Sequence, residues 1–497
     1  MSKSYPSVVL DYGARIEAAK TRVRRHRMLP YITLIAISYW YCLPVVTQSL
    51  FSYNEFRAYD FLLLGLIGTM LFRYRVGLQS FLAKDRPGRW LFRLASWATL
   101  SSLMTVITAL WMDNVKWIGV TAVFLFHLWG FIFAYAAFRM FVRSRSQALR
   151  LLDLFLVLGG LEALLVCLQG VGIVGRLWGE RYDVYGTMAY SGTLGPNRTL
   201  PGHAFILILA VALGYWRNSA AVGPVRLALA AVSGILAVLG IGLAGSRTAW
   251  VVAIVFGLGV LFAGRLRIGV LVFIAVVAMG ILAVTPTRID ESISEMYDYR
   301  LTVKLERAED GDLKERFTSV DAGRLKLWTQ GIAALGEHAY VIPFGCGFNN
   351  YRYAMHAGVS AHNAYITVTA ELGVVGLFLY IMWLKAIVGE TGRRIRQATL
   401  AGQKHRRVFV PSEMRALVLA MLVSLTAGEI LYPYRPTFSF LGMFLMISAL
   451  LNHKVLRGPG EVPEDIAEAS PTAPNSHSIW ARKATTTPSQ PSRRPQV

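Results

Sequence analysis

Between residues 30 and 452 the chain returns again and again to one pattern, an unbroken apolar run of bilayer-spanning length closed by a polar or basic turn. The ~30 Å hydrocarbon core of a membrane asks for about 20 such residues per helix, and about twelve runs of this kind are present. They fall at 30–50, 57–73, 90–112, 117–141, 150–172, 201–216, 226–244, 248–264, 267–285, 364–389, 411–431 and 436–452. The runs are continuous and do not alternate, which excludes a closed β-barrel. In lipid the backbone must satisfy its own hydrogen bonds, so each run is expected to be helical. Composition excludes the other classes. The hydrophobic fraction is 55% and the charged fraction 16%, where soluble domains average about 25% charged. Three cysteines are too few for a disulfide scaffold, and the aliphatic and aromatic load excludes a disordered chain. The expected fold is an all-α polytopic membrane protein.

A formal net charge of +22 would suggest nucleic acid in a soluble protein. Here its distribution carries the meaning. The first 28 residues hold Lys20, Arg22, Arg24, Arg25 and Arg27 and no apolar core of a signal peptide. With that arm inside the cell, every second loop is basic: Arg73, Arg75, Lys84, Arg86 and Arg89; Arg143 and Arg145; Arg217; Arg265 and Arg267; then Arg393 to Arg407. Cytoplasmic loops collect Lys and Arg, so the excess reports topology, with no nucleic acid as partner. The sequence divides into a basic cytoplasmic arm at 1–28, a membrane domain at 29–452 and a disordered cytoplasmic tail at 453–497, rich in Pro, Ser, Thr and Ala. Both termini are expected inside. Two outer loops are long, 173–200 and 286–361; the second mixes both signs of charge and has a helical pattern from Arg324. Loops of that length are usually functional.

The outer turns hold the polar groups suited to chemistry. Arg247, in GLAGSRTAW, opens a helix behind Ser246, a candidate N-cap. A helix N-terminus attracts phosphate, and a guanidinium adds a planar fork for its oxygens. The same arginine could equally anchor the helix end by snorkelling. Arg198 follows Gly195, Pro196 and Asn197 in a rigid turn before the sixth run, either as a second phosphate ligand or as a contact to lipid headgroups. Arg324 opens the helical segment of the large loop, where an ion pair with Asp321 is the alternative role. His362 lies in SAHNAYITVTAELG, where that loop re-enters the membrane. Ser360 is the expected cap, which puts His362 in the first helical turn; the positive helix end then keeps the ring neutral and able to accept a proton. A packing histidine is the alternative. Asn363 and Tyr365 add hydrogen-bonding capacity, and Glu371, two turns deeper, is an intramembrane acid and so a functional candidate. His203 reads as a core or interfacial histidine. No metal-ligand spacing surrounds His362, and no metal is expected.

Together these motifs resemble a known group. PN at 196–197, GSRTAW at 245–250, GRLKLW at 323–328, FGCGFNNY at 344–351 and HNAYI at 362–366 are similar, in order, to the O-antigen ligase superfamily. That group comprises O-antigen ligases, O-antigen polymerases and bacterial protein O-oligosaccharyltransferases. The resemblance covers about 30–452 and implies a GT-C-like glycosyltransferase of the bacterial inner membrane with its site on the periplasmic face. It implies an undecaprenyl-diphosphate-linked O-antigen as donor, lipid A–core oligosaccharide as acceptor, surrounding membrane lipids as partners and no cofactor. The family's arginines and histidine match Arg247, Arg324 and His362; Arg198 is matched through its neighbour Asn197. The ligase is favoured by span number and by the lack of a large periplasmic C-terminal domain. A polymerase, a protein oligosaccharyltransferase and a lipid-linked glycan transporter are the alternatives. The absence of an internal repeat and the grouping of polar residues at one face speak against transport.

Overall fold

In a computed structural model the described residues are 28–43, 45, 56–111, 115–177, 190–195, 199–262, 324–337, 341–351, 361–400, 411–426, 428, 430–432 and 438–451. Every apolar run that falls among them carries a helix; the run at 267–285 lies outside them. In chain order the helices are α1 (Met28–Trp40), α2 (Ala58–Arg73), α3 (Arg75–Lys84), α4 (Arg86–Trp111), α5 (Lys116–Phe141), α6 (Arg145–Gly170), α7 (Thr199–Arg217), α8 (Ser219–Val222), α9 (Pro224–Leu243), α10 (Arg247–Phe262), α11 (Arg324–Glu337), α12 (Val341–Phe344), α13 (Ala364–Leu400), α14 (Pro411–Leu425) and α15 (Phe438–Leu451). All regular elements among the described residues are helical, and all belong to one compact unit within Met1–Leu456.

Among the described residues six helical segments are long and apolar enough to cross a bilayer: Arg86–Ile107, Trp117–Phe141, Arg145–Gly170, Thr199–Arg217, Pro224–Leu243 and Ala364–Arg396. A seventh follows if α2 and the helix bent 98° from it count as one span. Three more apolar helices are shorter, Met28–Trp40, Thr248–Val260 and Ser439–Leu451. The first run, expected to continue to residue 50, stops being helical at Trp40. Pro44 follows, and the residue immediately before a proline disfavours the helical region, so the helix is not continued through Leu43.

Helix α7 is the post of the bundle. It is buried from Leu200 to Tyr215 and packs against α6, α9, α10, α14 and α15. Small residues make this close approach possible. A methyl group added at Gly240 of α9 would lie 2.6 Å from the Phe205 ring, and one added at Gly159 of α6 would lie 2.1 Å from Ile208. Without water to drive apolar surfaces together, such backbone contact and van der Waals packing supply the association.

The two ends of the bundle differ in chemistry. At one end Arg217 at the close of α7 pairs with Glu413 at the start of α14, with N–O 2.8 Å. Arg139 near the end of α5 pairs with Asp85 before α4, which also accepts from the Tyr135 hydroxyl at 3.0 Å. Arg226 pairs with Asp153 at 2.9 Å. These arginines belong to the helix ends beside the basic loops. Their acidic partners keep the charge compensated where it is buried.

Candidate functional site

The opposite end of α7 is where the sequence places its polar turns. Gly202, in the first turn of α7, faces the turn before α10: an added Cβ would be 2.6 Å from Cβ of Ala249 and 3.6 Å from that of Ser246. The start of α7 and the start of α10 are thus neighbours. Ser246 is buried and its Oγ accepts from the Ala249 N–H at 3.3 Å, so it caps α10 as expected. Arg247 is the first residue of that helix; its side chain lies outside the described part of the structure. Pro196, Asn197 and Arg198 lie outside the described residues, between Gly195 and Thr199.

The C-terminal end of α14 joins this pair of turns to the start of α13. His203 is fully buried, with Nδ1 2.7 Å from the Thr199 carbonyl and Nε2 2.8 Å from Ser424 Oγ. Two residues earlier on α14, the Leu422 carbonyl accepts from the Tyr365 hydroxyl at 3.3 Å. His203 is therefore the core histidine its position suggested. Through α14 the starts of α7, α10 and α13 share one end of the bundle.

At the start of α13 the structure corrects the sequence reading. The cap is Asn363, whose Oδ1 accepts from the N–H groups of Tyr365 at 3.0 Å and Ile366 at 3.2 Å. Helix α13 begins at Ala364, and Ser360, the expected cap, lies outside the described residues. His362 therefore precedes the cap, exposed, with a left-handed φ of 49°. An asparagine caps at least as well as a serine, which is why the helix begins three residues later than expected. The left-handed conformation at His362 turns the chain into it.

Glu371, the intramembrane acid, is tied to the FGCGFNNY segment and to Tyr432. Its carboxylate accepts from the N–H of Asn349 at 2.8 Å, the N–H of Tyr351 at 3.4 Å and the hydroxyl of Tyr432 at 2.6 Å. Two residues on, Gly373 adopts φ 69° and ψ −175°, which breaks α13 internally. The break leaves carbonyls without helical partners, and the surroundings supply them. Ala370 O accepts from Cys346 N at 2.8 Å and Glu371 O from Gly347 N at 3.0 Å. Glu371 O also accepts from Ser101 Oγ at 2.8 Å, and Leu372 O from Trp97 Nε1 at 2.7 Å. The FGCGFNNY segment is thus laid on the first half of α13 and held there by the helix's own released acceptors. Its glycines are required by space as well as by φ: a Cβ at Gly345 would meet the Glu371 carbonyl oxygen at 2.1 Å, and one at Gly347 would meet Thr105 Oγ1 at 2.0 Å. Burial, with the Glu371 carboxylate beside it, pushes the Cys346 thiol well above its usual pKa.

The helix expected from Arg324 is present as α11. Its Gly331 approaches the Tyr351 hydroxyl and Ile366, 2.8 Å and 2.9 Å from an added Cβ. Ala334, Leu335 and Ile366 close a small apolar cluster with Val341, Cys346, Tyr351, Ala361 and Ala370. The helix opened by Arg324 is therefore seated on the half-helix that follows His362; the Arg324 side chain lies outside the described part. Among the described residues no three of His, Cys, Asp and Glu come together as a metal site. Glu371 was visible in the sequence as an intramembrane acid, but its partners were not. Trp97 and Ser101, more than 200 residues from the carbonyls they serve, carried no local signal.

No curated protein matches the chain. Residues 232–381, from within α9 to within α13, match the family model described as O-antigen ligase. That segment contains Arg247, Arg324, Glu371 and His362, and leaves Arg198 outside. Members of that family are glycosyltransferase-like enzymes that use lipid-linked glycans. The matched segment, set in a helical bundle with several membrane-length helices, is consistent with a member of the O-antigen ligase superfamily.

Proposed function

We propose that the protein is a GT-C-like O-antigen ligase of about twelve spans in the bacterial inner membrane. It transfers O-antigen glycan from undecaprenyl diphosphate to lipid A–core oligosaccharide on the periplasmic face. The observation that carries this reading is the meeting of the starts of α7, α10 and α13 at one end of the bundle, two of them inside the matched segment. The acceptor hydroxyl oxygen attacks the anomeric carbon as the bond from that carbon to the diphosphate oxygen breaks, with inversion. The diphosphate leaves with the bonding electrons, and its charge needs cationic stabilisation more than a proton. Arg247, Arg324 and Arg198 supply that charge, and His362 takes the acceptor proton. Asn363, Ser246, Asn197 and Tyr365 support them by fixing the helix starts and turns. His362 precedes the Asn363 cap, and its exposure leaves it open to an acceptor sugar arriving from outside.

Purified protein, given a polyprenyl-diphosphate glycan and lipid A–core in EDTA, should yield glycan attached to the core. Elongated lipid-linked glycan with no core product would make the protein a polymerase. Transfer that requires added magnesium would replace the arginines as electrophile.

A further inference from the structure

The end of the bundle that holds the Arg139–Asp85 and Arg217–Glu413 pairs also carries cations that meet no acid. Arg86, Arg89 and Arg93 stand on one face of the opening turns of α4, and all three are exposed. Arg93 is braced by an aromatic pair. Its guanidinium carbon lies 4.8 Å from the centre of the Trp90 ring, and that ring meets Phe378 of α13 edge-on at 6.1 Å. The two helices run antiparallel, since Trp97, further along α4, donates from Nε1 to the Leu372 carbonyl, further back on α13. Two turns on from Phe378, on the same helix face, α13 presents the exposed Lys385. At a rise of about 1.5 Å per residue, Lys385 comes within about one turn of the level of Arg86.

Among the described residues none of these four side chains makes a hydrogen bond or an ion pair. The acids beside them in sequence are already engaged. Asp85 accepts from Arg139, Tyr135 and the Gly88 N–H, and Glu390 pairs with Arg393 and Arg394. Next to this charge the surface is apolar, with Phe378 55% exposed. Uncompensated cations at the helix ends, bordering an exposed apolar stripe, are complementary to an amphiphile with an anionic head and an apolar tail. Basic sites between membrane helices on the cytoplasmic side hold anionic headgroups in this way.

We propose that this face of α4 and α13 binds one anionic phospholipid, its phosphodiester among Arg86, Arg89, Arg93 and Lys385 and an acyl chain along Phe378. The site goes beyond the transfer reaction, whose groups lie at the opposite end. It takes from that reading only the orientation that makes the lipid one of the cytoplasmic leaflet.

Native mass spectrometry of the full chain in detergent, with phosphatidylglycerol and phosphatidylcholine of the same acyl chains as competing probes, tests the site. The parent should retain one phosphatidylglycerol with a preference of roughly 10-fold or more, because each nearby cation adds several-fold. Combining Arg86→Gln, Arg89→Gln, Arg93→Gln and Lys385→Gln should abolish the preference. Combining Arg143→Gln, Arg150→Gln, Arg396→Gln and Arg415→Gln removes the same charge from exposed positions at the same end and should leave it intact. A parent without preference, or equal loss in the two fourfold variants, overturns the proposal. The single changes Arg89→Gln and Lys385→Gln should each lower the preference several-fold. Parent-level preference in both overturns the proposal even where a fourfold variant fails to fold.

Discussion

At His362 the backbone decides which substitutions are informative. With φ at 49°, most side chains pay roughly 1–2 kcal/mol simply to occupy the left-handed region. Asparagine visits it readily and keeps a polar group, but cannot take a proton at neutral pH. His362→Asn should therefore insert and fold like the parent, bind the lipid-linked donor, and transfer glycan about 100-fold more slowly if the imidazole is the base. Near-normal turnover in that variant would leave acceptor positioning as its role. For Arg247 and Arg324 the discriminating change is to lysine, which keeps the charge and loses the planar fork. Both variants should retain the protein in the membrane and lose most transfer; retained activity would return the two arginines to helix anchoring and surface pairing. The sequence reveals residue types better than partners. Ser246 was legible as a cap because its partner is three residues away. Asn363, read in the sequence only as hydrogen-bonding capacity, is the cap in the structure, a choice the left-handed turn at His362 makes and local pattern does not show. Glu371 was visible as a misplaced charge, but its use depends on backbone groups brought from 349 and 351 and on Tyr432.

The broken helix α13 shows how an element can hide its most consequential feature inside a uniform pattern. Residues 364–389 read as one apolar run, and hydropathy is indifferent to a single glycine within it. Only the contacts made by the released carbonyls reveal that the first half is a separate platform for the FGCGFNNY segment and for α11. Gly373→Ala should test that platform directly. The new methyl would face the Pro343 carbonyl oxygen at 2.4 Å in a backbone conformation alanine resists. A loss of about 2 kcal/mol or more is expected, seen as a lower Tm in detergent, together with loss of transfer. An unchanged Tm would mean that the break is not held by its surroundings. The long apolar helices themselves were legible because a bilayer imposes length and polarity on any segment fit to cross it. The irregular segments between them obey no such rule, which is why residues 345–351 could be recognised as a motif and not as a structure.

For the whole molecule the sequence offers charge asymmetry, and the fold adds its pairing. Arg139, Arg217 and Arg226 meet acids at the end of the bundle away from the starts of α7, α10 and α13. If that end is cytoplasmic, a periplasmic reporter inserted within 286–323 should be active and one within 401–410 silent. The reverse result would put the proposed site in the wrong compartment for its substrates. The last described helix, α15, packs on α1, α5 and α7, with Gly442 against the Tyr39 ring and Phe440 edge-on to His203 at 5.9 Å. During synthesis these three helices leave the ribosome some two hundred residues or more before their partner does. Until it arrives they hold an open seam in the bilayer, and His203 lacks the aromatic wall of its pocket. The seam closes only when the last described helix arrives, so a product truncated before Phe438 cannot complete it. A membrane protease that senses open seams would have a ready criterion for removing it before it could engage a lipid-linked sugar.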